Sequence, residues 1–185
     1  MKKLFLLIVL ISTSVFAQNF QKNWDKVITH EKLGKVKSAS KIVDGIYKKA
    51  VSQKNETQII KCFFYQSKYL QVVDENAQTK ILDNLNQEIN RVSIPSKAIL
   101  NLVYAKCLND YFNRNNHTIR SRTNTVTQSD QFMTWTENDF TSKINLAFKE
   151  TLENQNILNT TPLSNYEAIF DYFSQEKFKN QNLFD

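Results

Sequence analysis

A chain of 185 residues with 24 Lys and Arg, 18 Asp and Glu, 2 Gly and 2 Pro has the length of one ordinary domain and very few backbone breakers. Glycine takes positive φ at little cost, so tight turns and phosphate-cradling loops consume it. With Gly34 and Gly45 the only ones, sandwiches, barrels and collagen-like folds are disfavoured, and a Rossmann fingerprint, a Walker loop and a nucleophile elbow are excluded.

The chain starts with Lys2 and Lys3, an apolar run from Leu4 to Ile11, then Ser12, Thr13, Ser14 and Val15-Phe16-Ala17. This is the layout of a secretory signal peptide over 1–17, with small residues placed for cleavage between Ala17 and Gln18. The apolar run is too short for a membrane span, and no cysteine follows it to take a lipid, so a soluble exported chain is expected in the periplasm or cell envelope. Losing Lys2 and Lys3 leaves 22 basic against 18 acidic residues. The surplus is spread among polar residues (Lys35, Lys37, Lys41, Lys48, Lys49) rather than gathered in a stripe, and no nucleic-acid partner is expected.

From Phe20 onward the apolar residues follow the helical period, which predicts an all-α fold for 18–185. Trp24, Val27 and Ile28 mark a first helix, with a C-terminal cap at Leu33-Gly34. Val36, Ala39, Ile42, Val43, Ile46, Tyr47 and Ala50 form the stripe of a second, ending near Ser52. A third, about Thr57 to Val73, is broadly apolar, and a fourth presents Ile81, Leu82, Leu85, Ile89 and Val92 on one side. With Pro95 near its start, a fifth from about Ser96 to Asn113 is apolar nearly all round, Leu102 included, and should be central. Asn115 to Thr134 lacks a steady period and reads as a long connection. Thr136 then reads as an N-cap, with Asp139 three residues on, for a helix burying Phe140, Ile144, Ala147, Phe148 and Leu152. A last helix is expected from Thr161-Pro162, burying Tyr166, Ile169, Phe170 and Phe173. Helix pairs starting near 20, 57 and 96 suggest a tetratricopeptide-like α-solenoid of about seven helices, without that family's residue signature.

Chemistry-bearing residues are sparse. His30-Glu31 fails as a metalloprotease helix because position 34 is Gly34 where a second histidine is required. Asp110 beside Tyr111, and Asp171 beside Tyr172, read as wet edges of buried aromatic faces rather than acid–base pairs. Cys62 and Cys107 lack metal-ligand spacing and read first as buried thiols, a disulfide being the alternative that export permits. No catalytic residue, metal or cofactor is expected. The most pointed polar feature is Arg114, Arg120 and Arg122, near His117, whose guanidiniums could hold an anionic group or a peptide. Stapling of the connection to neighbouring carbonyls and acids is the first reading of that cluster and ligand binding the second. Trp135 reads as a packing anchor.

Taken in order, Trp24 ahead of Lys32-x-Gly34, Ser38-Ala39, Ile42-Val43-x-x-Ile46-Tyr47-x-x-Ala50, Lys97-Ala98-Ile99-Leu100, Tyr111-x-Asn113-Arg114, Arg122-Thr123 and Thr134-Trp135 resemble the helical N-terminal region of large bacterial alpha-2-macroglobulin family proteins. The resemblance implies a helical leader module followed by macroglobulin domains, its partners in the same chain, and a role in protease trapping or envelope defence. The family's thioester motif, Cys-Gly-Glu-Gln, has no counterpart in Cys62-Phe63-Phe64-Tyr65 or Cys107-Leu108-Asn109-Asp110. The ending Asn182-Leu183-Phe184-Asp185, without a cap, is read as that of a fragment of a longer protein. The alternative expectation is a stand-alone periplasmic tetratricopeptide-like module that binds a peptide or protein.

Overall fold

The computed structural model describes residues 20–122, 132–170 and 181–184. The signal segment with its Ala17–Gln18 junction, residues 123–131 of the connection, and Asp171, Tyr172 and Phe173 lie outside the described residues. Within the described residues the protein is all-α, its helices packed mostly as sequential antiparallel pairs with no sheet. The chain divides into two compact units, 1–69 and 70–185.

The first unit holds helix α1 (20–32), α2 (Val36–Ser52) and most of α3 (Glu56–Val73). Helix α1 buries Phe20, Trp24 and Val27, spaced one turn apart, while the expected Ile28 stands on the exposed rim. The α2 stripe buries Ala39, Val43, Ile46 and Ala50. Trp24 ties α1 to α3: its indole Nε1 donates to Gln58 Oε1 at 2.7 Å, and its ring lies 4.7 Å from that of Tyr65. On the exposed side, Lys68 bridges α3 to Glu31 of α1 at 2.8 Å, and Gln66 Nε2 donates to Asp44 Oδ1 of α2 at 2.8 Å.

Both turns of this unit satisfy the carbonyls left over at a helix end. After α1 the Lys35 N–H reaches His30 O and the Gly34 N–H reaches Glu31 O, both at 2.9 Å, with Gly34 at φ +68°. That is a Schellman turn, whose left-handed residue suits glycine. The same pair of bonds closes α2, from Asn55 to Ala50 and from Lys54 to Val51, but here Lys54 takes the left-handed conformation at φ +53°. Asn55 Oδ1 then accepts from the Gln58 N–H at 3.1 Å and starts α3.

In the second unit, α5 (Ile94–Arg120) packs against α4 (Ala77–Ile89), α6 (Glu137–Leu152) and the short α7 (Gln155–Thr160). The central role expected for it holds; its boundaries and its all-round burial do not. The helix runs seven residues past Asn113 to Arg120, and Leu102 is 49% exposed. The polar run hides this continuation, whose buried anchor is Ile119. The helix is interrupted at Asn115 (φ −112°, ψ 15°), where the side-chain Nδ2 donates to Tyr111 O at 2.9 Å, an amide competing for a main-chain acceptor within the helix.

Around the far half of α5, Leu82, Leu108, Tyr111, Ile119, Phe132, Trp135 and Phe140 form one core. Phe140 lies at its centre, stacked 5.8 Å from Tyr111 and edge-on 5.3 Å from Trp135. The α6 start is capped as expected: Asp139 N–H donates to Thr136 Oγ1 at 3.4 Å, and Thr136 N–H to Asp139 Oδ2 at 2.9 Å. Two α6 expectations are corrected. Phe148 and Leu152 are exposed, because the helix turns its Phe140–Ala147 face inward and carries these two off it.

Two further corrections fall beyond α6. Helix α7 anchors the chain through buried Leu158, in a stretch whose polar residues give no periodic signal. The last expected helix is instead a 3-10 segment, Leu163–Ile169. Pro162 is extended (ψ 137°), and its neighbours pair with 181–183 through Leu163 N–H to Gln181 O at 2.9 Å and Leu183 N–H to Thr161 O at 3.0 Å. The pairing holds the chain extended as far as Pro162, and the segment beyond it closes by the tighter 3-10 pattern, Asn165 N–H to Pro162 O at 3.1 Å. Tyr166 is buried as expected, but Phe170 is exposed.

Candidate functional site

The arginines singled out in the sequence are divided by the fold. Arg114 stands exposed on α5, whereas Arg120 and Arg122 converge on the entry to α6. Arg120 Nη2 pairs with Glu137 at 3.2 Å, and its guanidinium lies 5.9 Å from the Phe112 ring. Arg122 Nη1 donates to Trp135 O at 2.6 Å. Both cations therefore tie the end of α5 to the segment that caps α6.

The other titratable candidates are also engaged or shielded. Asp110 pairs with Lys106 at 3.2 Å, and the Tyr111 hydroxyl points at Met133 Sδ, 3.2 Å away. Cys62 and Cys107 are both free thiols. Burial, outweighing the nearby Lys61, pushes the Cys62 thiol up to about 12, and burial with the charge of Asp110 raises Cys107. At neutral pH both stay protonated and are poor nucleophiles. Among the described residues no cluster of His, Cys, Asp and Glu could hold a metal, and no helix is long and apolar enough to cross a membrane.

A different site emerges where α5 lies antiparallel to α6. Lys97, Asn101 and Tyr104 follow one another by single turns along α5 and form the floor of a groove of about 490 Å³. Lys143, Leu146 and Glu150 run along α6 with the same spacing and form one wall. Asn86 and Asn90 at the end of α4 stand opposite, and Trp135 closes the Lys143 end, with Lys143 Nζ 5.7 Å from its ring centre. A neighbouring hollow of about 120 Å³ shares Lys97, Asn101 and Glu150 and continues toward Asn154. The volume falls in the range of small-ligand sites, about 300–1,000 Å³.

The groove floor contains a polar anomaly. Asn101 is only 2% exposed, yet its Nδ2 has no hydrogen-bond partner. Unsatisfied buried donors are uncommon, since each forfeits its hydration without return. The contrast lies five residues earlier on the same helix, where the equally buried Ser96 hydroxyl meets Tyr166 Oη at 2.8 Å. Burial and the charge of Asp83 raise the Tyr104 phenol, which stays a neutral hydroxyl.

Asn101 was not among the residues the sequence brought forward, although a signal was present. It sits on the stripe Ala98, Asn101, Ala105, Leu108, every other member of which is apolar and buried. A polar residue on a helix's core stripe marks either a satisfied hydrogen bond or a site. Compared with known proteins, the chain finds no significant match to any family model, curated protein or solved structure.

Proposed function

We propose that this protein is a non-catalytic, exported helical module that captures a peptide segment of another protein in the groove between α4, α5 and α6. The groove carries the reading: amide side chains from Asn86, Asn90 and Asn101, two lysines and an apolar end at Trp135 and Leu146 converge on it. Amide groups can donate to and accept from a peptide main chain, and an aromatic-lined end suits an apolar side chain. Binding without chemistry is supported by what the titratable groups do, Asp110, Arg120 and Arg122 being tied to protein partners and both thiols held protonated. In this reading the helix pairs stack as a tetratricopeptide-like array behind a cleaved leader, and Arg120 and Arg122 hold the groove's Trp135 end in place.

The test is an NMR titration of the mature protein with an unbiased pool of hexapeptides. Shifts centred on Asn86, Asn101, Tyr104 and Leu146 are expected. Saturable binding that leaves those residues unmoved, or no binding at millimolar peptide, would rule the groove out.

A second proposal follows from the alpha-2-macroglobulin resemblance, in which the chain serves as a leader module docking the domains that follow it. Its support is that several of the matching residues, including Trp24, Ala39, Val43, Ile46, Ala50 and Leu100, are buried packing residues, as expected of a scaffold. An intact-mass measurement on the native exported product tests it: a chain several times longer than 168 residues is expected, and a product of that size would end this reading.

A further inference from the structure

Resting on the peptide-capture reading, we infer that the groove recognises a carboxylate, and that Asn101 is the buried donor that reads it. Asn101 is one of the residues lining the groove, and its Nδ2 group is withdrawn from solvent and without a protein acceptor. A group in that state gains from any ligand that brings an oxygen, and gains most from a charged one, because ionised acceptors form the stronger hydrogen bonds and do so best where water is excluded. Lys97, one turn before Asn101 on α5, and Lys143 of α6 line the same groove, so two ammonium groups accompany the donor there. Among the described residues Glu150 is the one acid lining the groove, and it shares the end toward Asn154 with Lys97 and Asn101. The cationic side at Lys143 and Trp135 is thus the better seat for an anion, and the Glu150 end suits donors such as peptide N–H groups.

The carboxylate has two sources, a chain terminus or an acidic side chain. Trp135 and Leu146 beside Lys143 favour a carboxylate with an apolar neighbour in either case. No bond is made or broken; the device is recognition only.

The experiment uses the mature protein and three sets of N-acetylated hexapeptides: apolar sequences with a free C-terminus, the same sequences amidated, and amidated sequences with one internal aspartate. Affinities are measured for the native protein, for Asn101→Leu, which removes the donor at similar size, and for Lys143→Gln. If the first set binds tenfold or more tighter than the second, the terminus is the source. If only the third set equals the first, carboxylates of both kinds are read. Either result requires that Asn101→Leu lose about tenfold or more while remaining folded by circular dichroism, and that Lys143→Gln lose severalfold with a shallower salt dependence. Equal binding of all three sets, with Asn101→Leu unimpaired, would overturn the carboxylate inference and leave peptide capture standing. Absence of binding by every set would overturn both.

Discussion

The two halves of helix α5 differ in how their polar groups are placed and partnered. Its far half, from Leu108 to Arg120, lies in an aromatic core whose polar rim is fastened at three points: Asn115 to Tyr111, Arg120 to Glu137, Arg122 to the Trp135 carbonyl. Its near half buries two polar side chains, and while Ser96 is satisfied by Tyr166, Asn101 is not. One stretch is arranged for stability, the other gives some of it up beside a groove. Sites that bind are commonly less than optimally stable for this reason.

The contrast breaks most severely at Phe140, fully buried between the Tyr111 and Trp135 rings. Phe140→Ala should cost about 3–5 kcal/mol through lost contacts and an unfilled cavity, measured as a large fall in the denaturation midpoint. On the near side, Tyr166→Phe removes only the oxygen that meets Ser96. With the Ser96 hydroxyl left buried and unpaired, a loss of about 1–3 kcal/mol is expected, and Ser96→Ala in the same background should recover part of it.

At the α6 entry, Thr136→Ala should cost about 1 kcal/mol. The Thr136 main-chain N–H and hydroxyl hold the Asp139 carboxyl below the usual carboxylate range. A depressed folded value means that the contribution of this carboxylate is complete above the ordinary pKa of about 4 and is lost as pH falls through the lower folded value. The gap in melting temperature between the native protein and Asp139→Asn should therefore be steady from pH 7 to 5 and close below about pH 4. A gap that persists to pH 2 would show that the ionised carboxylate is not what the variant removes.

The sequence made visible those parts whose physics is local. The α2 stripe, the Gly34 turn, the Thr136–Asp139 cap and the exposed polar side of α4 each follow from spacing or from one residue's conformational preference. What escaped depended on distant partners. Nothing between Asn113 and His117 signals helix, and α5 continues because Ile119 finds the aromatic core. Phe148 and Leu152 have the period of a buried face, but the helix is oriented by Phe140 and Ala147. Pro162 has the look of a helix start, yet its neighbours pair with residues far along the chain. The groove escaped for the same reason, since the arginines drew attention by charge whereas Asn101 matters through the absence of a partner, which is visible only in three dimensions.

A smaller effect belongs to the first unit, where two Schellman turns differ in the residue at the left-handed position. Replacing Lys54 by Gly should stabilise the protein by about 0.5 kcal/mol, the relief of a side chain from positive φ being partly offset by glycine's greater freedom when unfolded. The reverse substitution suits Gly45, in the middle of α2, where Gly45→Ala should gain up to about 1 kcal/mol, as its added Cβ meets no atom within 4 Å.

The most direct test of the account is thermal unfolding of Asn101→Leu beside the native protein at neutral pH. If Asn101 is a buried donor kept for a ligand, replacing it with an apolar side chain of similar size removes an unmet hydrogen-bonding need, and the melting temperature should stay level or rise. A fall of several degrees, the equivalent of about 1 kcal/mol or more, would mean that Asn101 is satisfied within the folded protein, and the distinction between the two halves of α5 would be lost.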